Sequence, residues 1–340
     1  MPCYNPLIRI EDTTKWKKAG DGHKYHPATI QQASKILGER LEDINNISFL
    51  SRYGYQTIPC GNCIGCRLEY SRQWANRGYL ESKCWDQNWF VTLTYNEENV
   101  MTTDGEIQTL EPEKITAFMK ALRQEMALNH GQKAGIRFMA AGEYGEEGRP
   151  HYHLILFNCN LPIESFYNPR IKRSHLYWQN HIIEKCWSYG ISNISECSWN
   201  NIAYTARYIT KKINGKLEEE AYAEGQQKEF FRVSRMPGIG EPYYRQHKYE
   251  IYKRDEIIIK NMEGVISTKP PEFFDKLYEA ENPEDFKKIK EKRKRLMKQN
   301  NRIKEQNTSL DQLDQLQIER RTKEEKTLKL IREFEKKQKK

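Results

Sequence analysis

The run His151-Tyr-His-Leu-Ile-Leu-Phe157 limits what this chain can fold into more than any other segment. Four consecutive apolar residues leave neither strand face free for water, so the run predicts a strand in the interior of a sheet, polar at one end only. Residues i and i+2 of a strand project from the same face, which aims both imidazoles at one point. A preceding strand is expected over Ile136–Glu143. It is joined to the first by Tyr144-Gly-Glu-Glu-Gly-Arg-Pro150, whose Gly and Pro content suits a hairpin connection. Pairing across that turn sets Glu143 beside the histidines. Two imidazoles and one carboxylate form an open site for a hydrated divalent ion, Mn2+ or Mg2+ first, with Zn2+ and Fe2+ not excluded. Two histidines hydrogen-bonded at a strand end are the plain alternative.

A second constellation lies in Asn201-Ile-Ala-Tyr-Thr-Ala-Arg-Tyr-Ile-Thr-Lys-Lys-Ile213, which reads as a helix over 201–213. At about 100° per residue, Ile202, Ala206, Ile209 and Ile213 form a narrow apolar stripe, while Tyr204, Tyr208 and Lys211 share the opposite face. Core tyrosines belong on the stripe, and these are off it. Phenols on adjacent turns beside an ammonium suit a tyrosyl nucleophile, because the cation favours the phenolate of a group whose ordinary pKa is near ~10. Lys212 is a weaker candidate, and paired surface tyrosines are the alternative. The remaining pattern predicts a strand over Phe90–Tyr95 and helices over 67–85, 112–122 and 176–187.

Cys60, Cys63 and Cys66 recur at three-residue spacing, which can gather three thiolates around one ion; a structural zinc wants a fourth ligand. Zinc is preferred to an iron–sulfur cluster because nothing here points to electron transfer, and reduced thiols are the alternative. Charge is uneven. Residues 281–340 hold 20 Lys and Arg against 12 Asp and Glu, whereas the first 280 hold 36 against 35, so most of the net +9 sits in the tail. A basic tail speeds encounter with nucleic acid or any acidic surface without specifying either. Residues 243–254 alternate tyrosine with Lys, Arg and His, as contacts to single-stranded nucleic acid do. No apolar run approaches the ~18–20 residues of a membrane helix, and the start has no basic segment followed by an apolar one, so a cytosolic protein is expected.

In this order, FVTLTY (90–95), GEYGEEGRPHYHLILF (142–157) and YTARYITKK (204–212) resemble the three motifs of two-tyrosine HUH endonucleases that initiate rolling-circle replication. The chain is most similar to the initiators of microviruses, single-stranded DNA bacteriophages, in their gokushovirus branch. MPCYNPL at the start, PCGNCIGCRLEYSRQWANR (59–77) and SRMPGIG (234–240) extend the resemblance over most of residues 1–240. It implies an α+β fold: a central antiparallel sheet carrying the HUH motif, flanked by helices, with a Cys-rich N-terminal element and a charged helical or disordered C-terminal tail. The expected domains are a Cys-rich region over 1–85, an endonuclease core over 86–265 and a basic tail over 266–340. The implied activity is metal-dependent nicking of a single-stranded DNA origin through a 5′-phosphotyrosine, with Tyr204 and Tyr208 alternating, Lys211 assisting, and His151, His153 and Glu143 holding Mg2+ or Mn2+. Cys3, within the resembling MPCYNPL, is the candidate fourth ligand of a Cys60, Cys63, Cys66 zinc site; Cys84 or a histidine are alternatives. Host DNA polymerase would extend the free 3′-hydroxyl, and a host helicase is expected because the chain has no GxxxxGK[ST] loop. The place of action would be the host bacterial cytoplasm. Two rivals remain at this point: a metal-stabilised nucleic-acid-binding protein without catalysis, and a hydrolase in which the metal activates water.

Overall fold

The computed structural model describes residues 3–10, 26–38, 40, 56–103, 107–133, 135–145, 148–172, 175–207, 222–261, 264–307, 309–310, 314–315, 317–323 and 325–326. The chain divides into two units, residues 1–69 with 288–340, and residues 70–287.

In the first unit, β1 (Leu7–Ile10) lies between β2 (His26–Ala28) and β3 (Gln56–Ile58), all antiparallel. Helix α1 (Ile30–Leu37) buries Ala33 against Ile8 and Ala28. Thr29 starts it: its hydroxyl accepts from the Gln32 N–H at 3.2 Å while Gln32 Oε1 accepts from the Thr29 N–H at 2.9 Å, a reciprocal cap of about 1 kcal/mol. Gly38 ends it at φ +70°, a conformation that costs glycine nothing.

The second unit is built on seven antiparallel strands. Its elements in chain order are α2 (Ile64–Ser82, of which residues 64–69 belong to the first unit), β4 (Asn88–Thr94), β5 (Thr102–Thr103), β6 (Ile107–Gln108), α3 (Pro112–Asn129), β7 (Arg137–Tyr144) and β8 (Pro150–Phe157). There follow β9 (Phe166–Lys172), β10 (His175–Asn180), α4 (His181–Cys186), β11 (Ser192–Glu196), α5 (Trp199–Arg207), β12 (Phe230–Val233), α6 (Glu241–Arg254), β13 (Ile257–Asn261), β14 (Gly264–Thr268) and α7 (Glu272–Glu281). The spatial order of the large sheet is β12-β7-β8-β4-β11-β10-β9, so the His-Tyr-His strand lies in its interior, as its apolar run requires.

One face of this sheet carries Tyr152, Leu154, Leu156, Val91, Leu93 and Ile194 and meets α3, which buries Ile115, Phe118, Met119, Leu122 and Met126. Each such side chain contributes roughly 1.5–3 kcal/mol when fully buried, so this layer dominates the core. Tyr152 also fixes its strand by polar contacts: its hydroxyl meets that of Tyr95 at 2.7 Å and accepts from the Glu111 N–H at 2.8 Å. On the opposite face α5 packs Ile202 and Ala206 inward, both fully buried. Helix α2 crosses there at Gly78, where an added Cβ would stand 2.6 Å from Ile202 Cγ2 and 2.7 Å from Met139 Sδ; only glycine permits that approach. Three residues on, Glu81 is fully buried against Arg137 Nε at 2.6 Å and accepts the Gly240 N–H at 2.6 Å, while Arg137 Nη2 donates to the Gly238 carbonyl at 3.1 Å.

The helix expected over 176–187 is corrected. Residues His175–Asn180 form β10, and only His181–Cys186 is helical. Leu176, Trp178 and Asn180 alternate with Tyr177 and Gln179, a period of two, and the Asn180 side chain accepts from the N–H groups of Ile182 and Ile183, which sets the helix start. The charged tail is helical over α8 (Pro283–Gln306). Among the described residues no helix is long and apolar enough to cross a membrane.

Candidate metal and tyrosine site

Register brings the site together. The hairpin pairs Glu143 with His151 and Ala141 with His153, while β4 sets Thr94 opposite His151 and Thr92 opposite His153. Glu143, His151 and His153 therefore share the face on which α5 packs. Glu143 Oε1 lies 2.6 Å from His151 Nε2 and 2.7 Å from His153 Nε2. From α5 the Tyr204 hydroxyl donates to the same Oε1 at 3.1 Å and stands 3.4 Å from His153 Nε2. Glu143 and His153 are buried, and His151 is the more open member. Burial alone would raise the Glu143 pKa; hydrogen bonds from His151 and His153 outweigh it and hold the carboxyl well below the ordinary carboxylate range.

The remaining ring nitrogens are also occupied. His151 Nδ1 donates to the Arg149 carbonyl at 3.2 Å, and His153 Nδ1 is 3.1 Å from Thr92 Oγ1. Engaging both Nδ1 atoms leaves both Nε2 atoms facing Glu143, the arrangement by which outer partners orient metal-binding histidines. Phe90 stacks on the His153 ring, centroids 5.6 Å apart and planes 9° apart, with Tyr204 edge-on to that ring at 5.0 Å. Two imidazoles and a carboxylate whose ligand atoms lie within 4.8 Å of one another form a donor set that could hold a divalent metal ion.

The first unit holds a second cluster. The Sγ atoms of Cys3, Cys60, Cys63 and Cys66 lie within 4.8 Å of one another, all as free cysteines. Cys3 and Cys63 sulfurs are 3.9 Å apart; a tetrahedron with metal–sulfur bonds of ~2.3 Å has edges of about 3.8 Å, so the donor set fits zinc. Backbone N–H groups of Cys60, Cys63 and Tyr4 point at the sulfurs of Cys3, Cys60 and Cys63, at 3.2, 3.4 and 3.3 Å. Although burial works the other way, N–H groups of Cys66 and Tyr4 and neighbouring thiols bring Cys63 down to about 7.

Residues 88–213, from the start of β4 to beyond α5, match the family model described as replication-associated protein ORF2/G2P. The replication-associated protein ORF2 of Spiroplasma virus 4 is 36% identical over 247 residues, covering 71% of this chain and 74% of the relative. The chain belongs to this replication-associated protein family. Replication-associated protein VP4 of Bdellovibrio phage phiMH2K is 26% identical over 262 residues, 76% of this chain and 78% of that one. Replication-associated protein ORF4 of Chlamydia phage 1 is 24% identical over 289 residues, 76% and 70% of the two chains. No solved structure matches.

In this replication-associated protein, Tyr208, Lys211 and Lys212 lie outside the described residues. The basic-aromatic stretch of 243–254 is divided: Tyr249, Lys253 and Arg254 are exposed, whereas other members are engaged within the protein. Tyr244 and Tyr252 are buried, with hydroxyls on Glu281 and Asp275, and Arg245 and Lys248 pair with Glu241 and Glu281. Arg77 is likewise sandwiched between Trp74 and Phe273, 4.0 Å from each ring. Thr92 and Phe90 went unnoticed as site residues in the sequence. The signal was present, since Val91 and Leu93 belong to the core face and their neighbours in FVTLTY must face the other way.

Proposed function

We propose that this replication-associated protein is a metal-dependent, site-specific endonuclease and strand transferase for single-stranded DNA, opening and closing rolling-circle replication at a phage origin. The observation that supports it best is the Tyr204 hydroxyl, 3.1 Å from the carboxylate oxygen that both imidazoles address. A bound Mn2+ or Mg2+, held by Glu143, His151 and His153, would supply Lewis-acid polarisation of the scissile phosphate. Tyr204 oxygen attacks phosphorus in line; the new bond is a 5′-phosphotyrosine and the broken one releases a 3′-hydroxyl, so one phosphodiester replaces another. The phenol is held for attack by its hydrogen bond to Glu143 and by edge contact with the His153 ring. Tyr208, one turn on, is assigned the second cleavage, after which the new 3′-hydroxyl attacks the first phosphotyrosine and closes the circle. Lys211 is assigned to favour the phenolate. Host polymerase and helicase in the bacterial cytoplasm complete the cycle. Cys3, Cys60, Cys63 and Cys66 are assigned to a structural Zn2+.

The test is incubation with labelled single-stranded DNA from the protein's own genome and Mn2+, followed by a denaturing gel. A metal-dependent covalent adduct, lost in the Tyr204→Phe, Tyr208→Phe double variant, is expected. Cutting without adduct would establish a water-activating hydrolase instead, and salt-sensitive binding of an origin fragment without cutting a binding protein.

A further inference from the structure

The hairpin β9–β10 is used by none of the chemistry above. Residues 166–180 contain Arg170, Lys172 and Arg173 and no Asp or Glu, in a chain whose first 280 residues are almost neutral. The two strands pair from Asn180 opposite Phe166 to His175 opposite Lys172, with a register shift between Tyr177 and Gln179, and β10 lies beside β11 with Trp178 in register with Ile194. Arg170 and Tyr177 thus lie in the two outermost strands of the sheet, a ribbon at its edge.

Its parity matters. Ile194 pairs with Val91 and Trp178 on the core face, so Asn193, Gln179 and Tyr177 fall on the other face, with Thr92 and His153. Arg170 pairs with Tyr177 and joins that face, and Lys172 is in register with His175 two residues further. Arg170 is exposed, and its Nη2 donates to Gln179 Oε1 at 3.1 Å; the carboxylate nearest this cluster, Glu184 of α4, is taken up by Gln179 Nε2 at 3.1 Å and by the Tyr167 hydroxyl. Ile171 and Leu176 pair across the strands on the reverse side, which stiffens the ribbon.

We infer that this ribbon is a phosphate-binding strap for the DNA strand that is cut, gripping its backbone away from the scissile bond. The inference rests on the nucleic-acid part of the reading above. Two things select the occupant: a hairpin whose own residues are basic and carry no carboxylate, with Glu184 beside it already held by Tyr167 and Gln179, matches a polyanion, and the ribbon continues the sheet face that carries the proposed nuclease centre. Four strand spacings separate β8 from β9, about 19 Å. At ~3.4 Å per stacked nucleotide the grip falls about five or six nucleotides from the cut.

The experiment measures binding of a fluorescent thirty-nucleotide oligo(dT) by anisotropy across a salt series. It compares wild type with Arg170→Ala/Lys172→Ala and with Lys298→Ala/Arg302→Ala, which removes the same charge from α8. Losing two phosphate contacts should lower the salt slope by about 1.4 and weaken binding about 25-fold at 0.1 M salt. The α8 variant should change far less. A ribbon variant that binds like wild type, or an α8 variant that loses as much, overturns the strap. Adduct formation is scored separately: ribbon-dependent binding with no adduct removes the nuclease reading and leaves the strap standing. Unchanged binding alongside a normal adduct removes the strap alone.

Discussion

Replacing Thr92 by valine removes one hydroxyl at nearly constant volume and should weaken metal binding by one to two orders of magnitude. Thr92 Oγ1 is the partner of His153 Nδ1 at 3.1 Å, and His153 is only 7% exposed, so water cannot easily take over. A buried polar atom left without its partner costs about 1–3 kcal/mol. At ~1.36 kcal/mol per decade that is about 5- to 150-fold, in line with the 10–100-fold range for outer partners of metal ligands. In the metal-free protein Glu143 still fixes the ring through Nε2 at 2.7 Å, so the loss falls mainly on the metal-bound state, where Nε2 turns to the ion. The assay is adduct yield against Mn2+ concentration, with calorimetric titration of Mn2+ alongside. Thr92→Ser keeps the hydroxyl and should return to within about threefold of wild type if the hydrogen bond is the cause. A Thr92→Val protein whose apparent Mn2+ constant stays within that same range would refute the reasoning.

Other perturbations test the frame around the site. Glu81→Gln leaves Arg137 buried without its counter-charge and should cost about 3–5 kcal/mol in urea unfolding, with Glu81→Gln/Arg137→Met costing less. Gly78→Ala gains about 1 kcal/mol of helix propensity but overpacks Ile202 and Met139 by about 1–3 kcal/mol; urea unfolding should show a net loss of up to about 2 kcal/mol, and adduct formation should slow up to about 100-fold as Tyr204 is displaced. Because the histidines hold Glu143 below its ordinary pKa despite burial, its contribution to the metal-free fold is present above the unfolded value of ~4.3 and is lost as pH falls through the folded one. Thermal unfolding in chelator should therefore weaken on acidification, and Glu143→Gln should flatten that dependence; parallel curves would contradict it.

Where one periodicity ran unbroken, the chain could be read directly. HYHLILF has alternating faces and a continuous apolar stretch, and it became β8 in the sheet interior; the stripe of Ile202 and Ala206 became the buried side of α5. Glu143 was reachable because a short turn leaves the hairpin register little freedom. Legibility failed where two patterns overlap. In HLYWQN an apolar residue at every second place was followed at once by a helix start, and the joined segments resembled one helix. Residues 243–254 hold two patterns at once: Tyr244, Ile251 and Tyr252, at i, i+7 and i+8, mark a buried stripe, while Tyr249, Lys253 and Arg254 stay on the exposed side, and composition alone does not separate the two sets. The pairing of Thr92 with His153 depends on which strand neighbours β8, which no local pattern states.

Tyr152, between the two histidines, gives the strand a safeguard against misalignment. A slip of β8 by a single residue would exchange its two faces, driving both imidazoles into hydrocarbon and turning Tyr152 and Leu154 toward α5. Such a sheet would be inverted. The Tyr152 hydroxyl, held at 2.7 Å by Tyr95 and at 2.8 Å by the Glu111 N–H, finds both partners only in the correct alignment. Tyr152, which lies outside the Glu143, His151 and His153 cluster, thus decides on which side of the sheet that cluster stands.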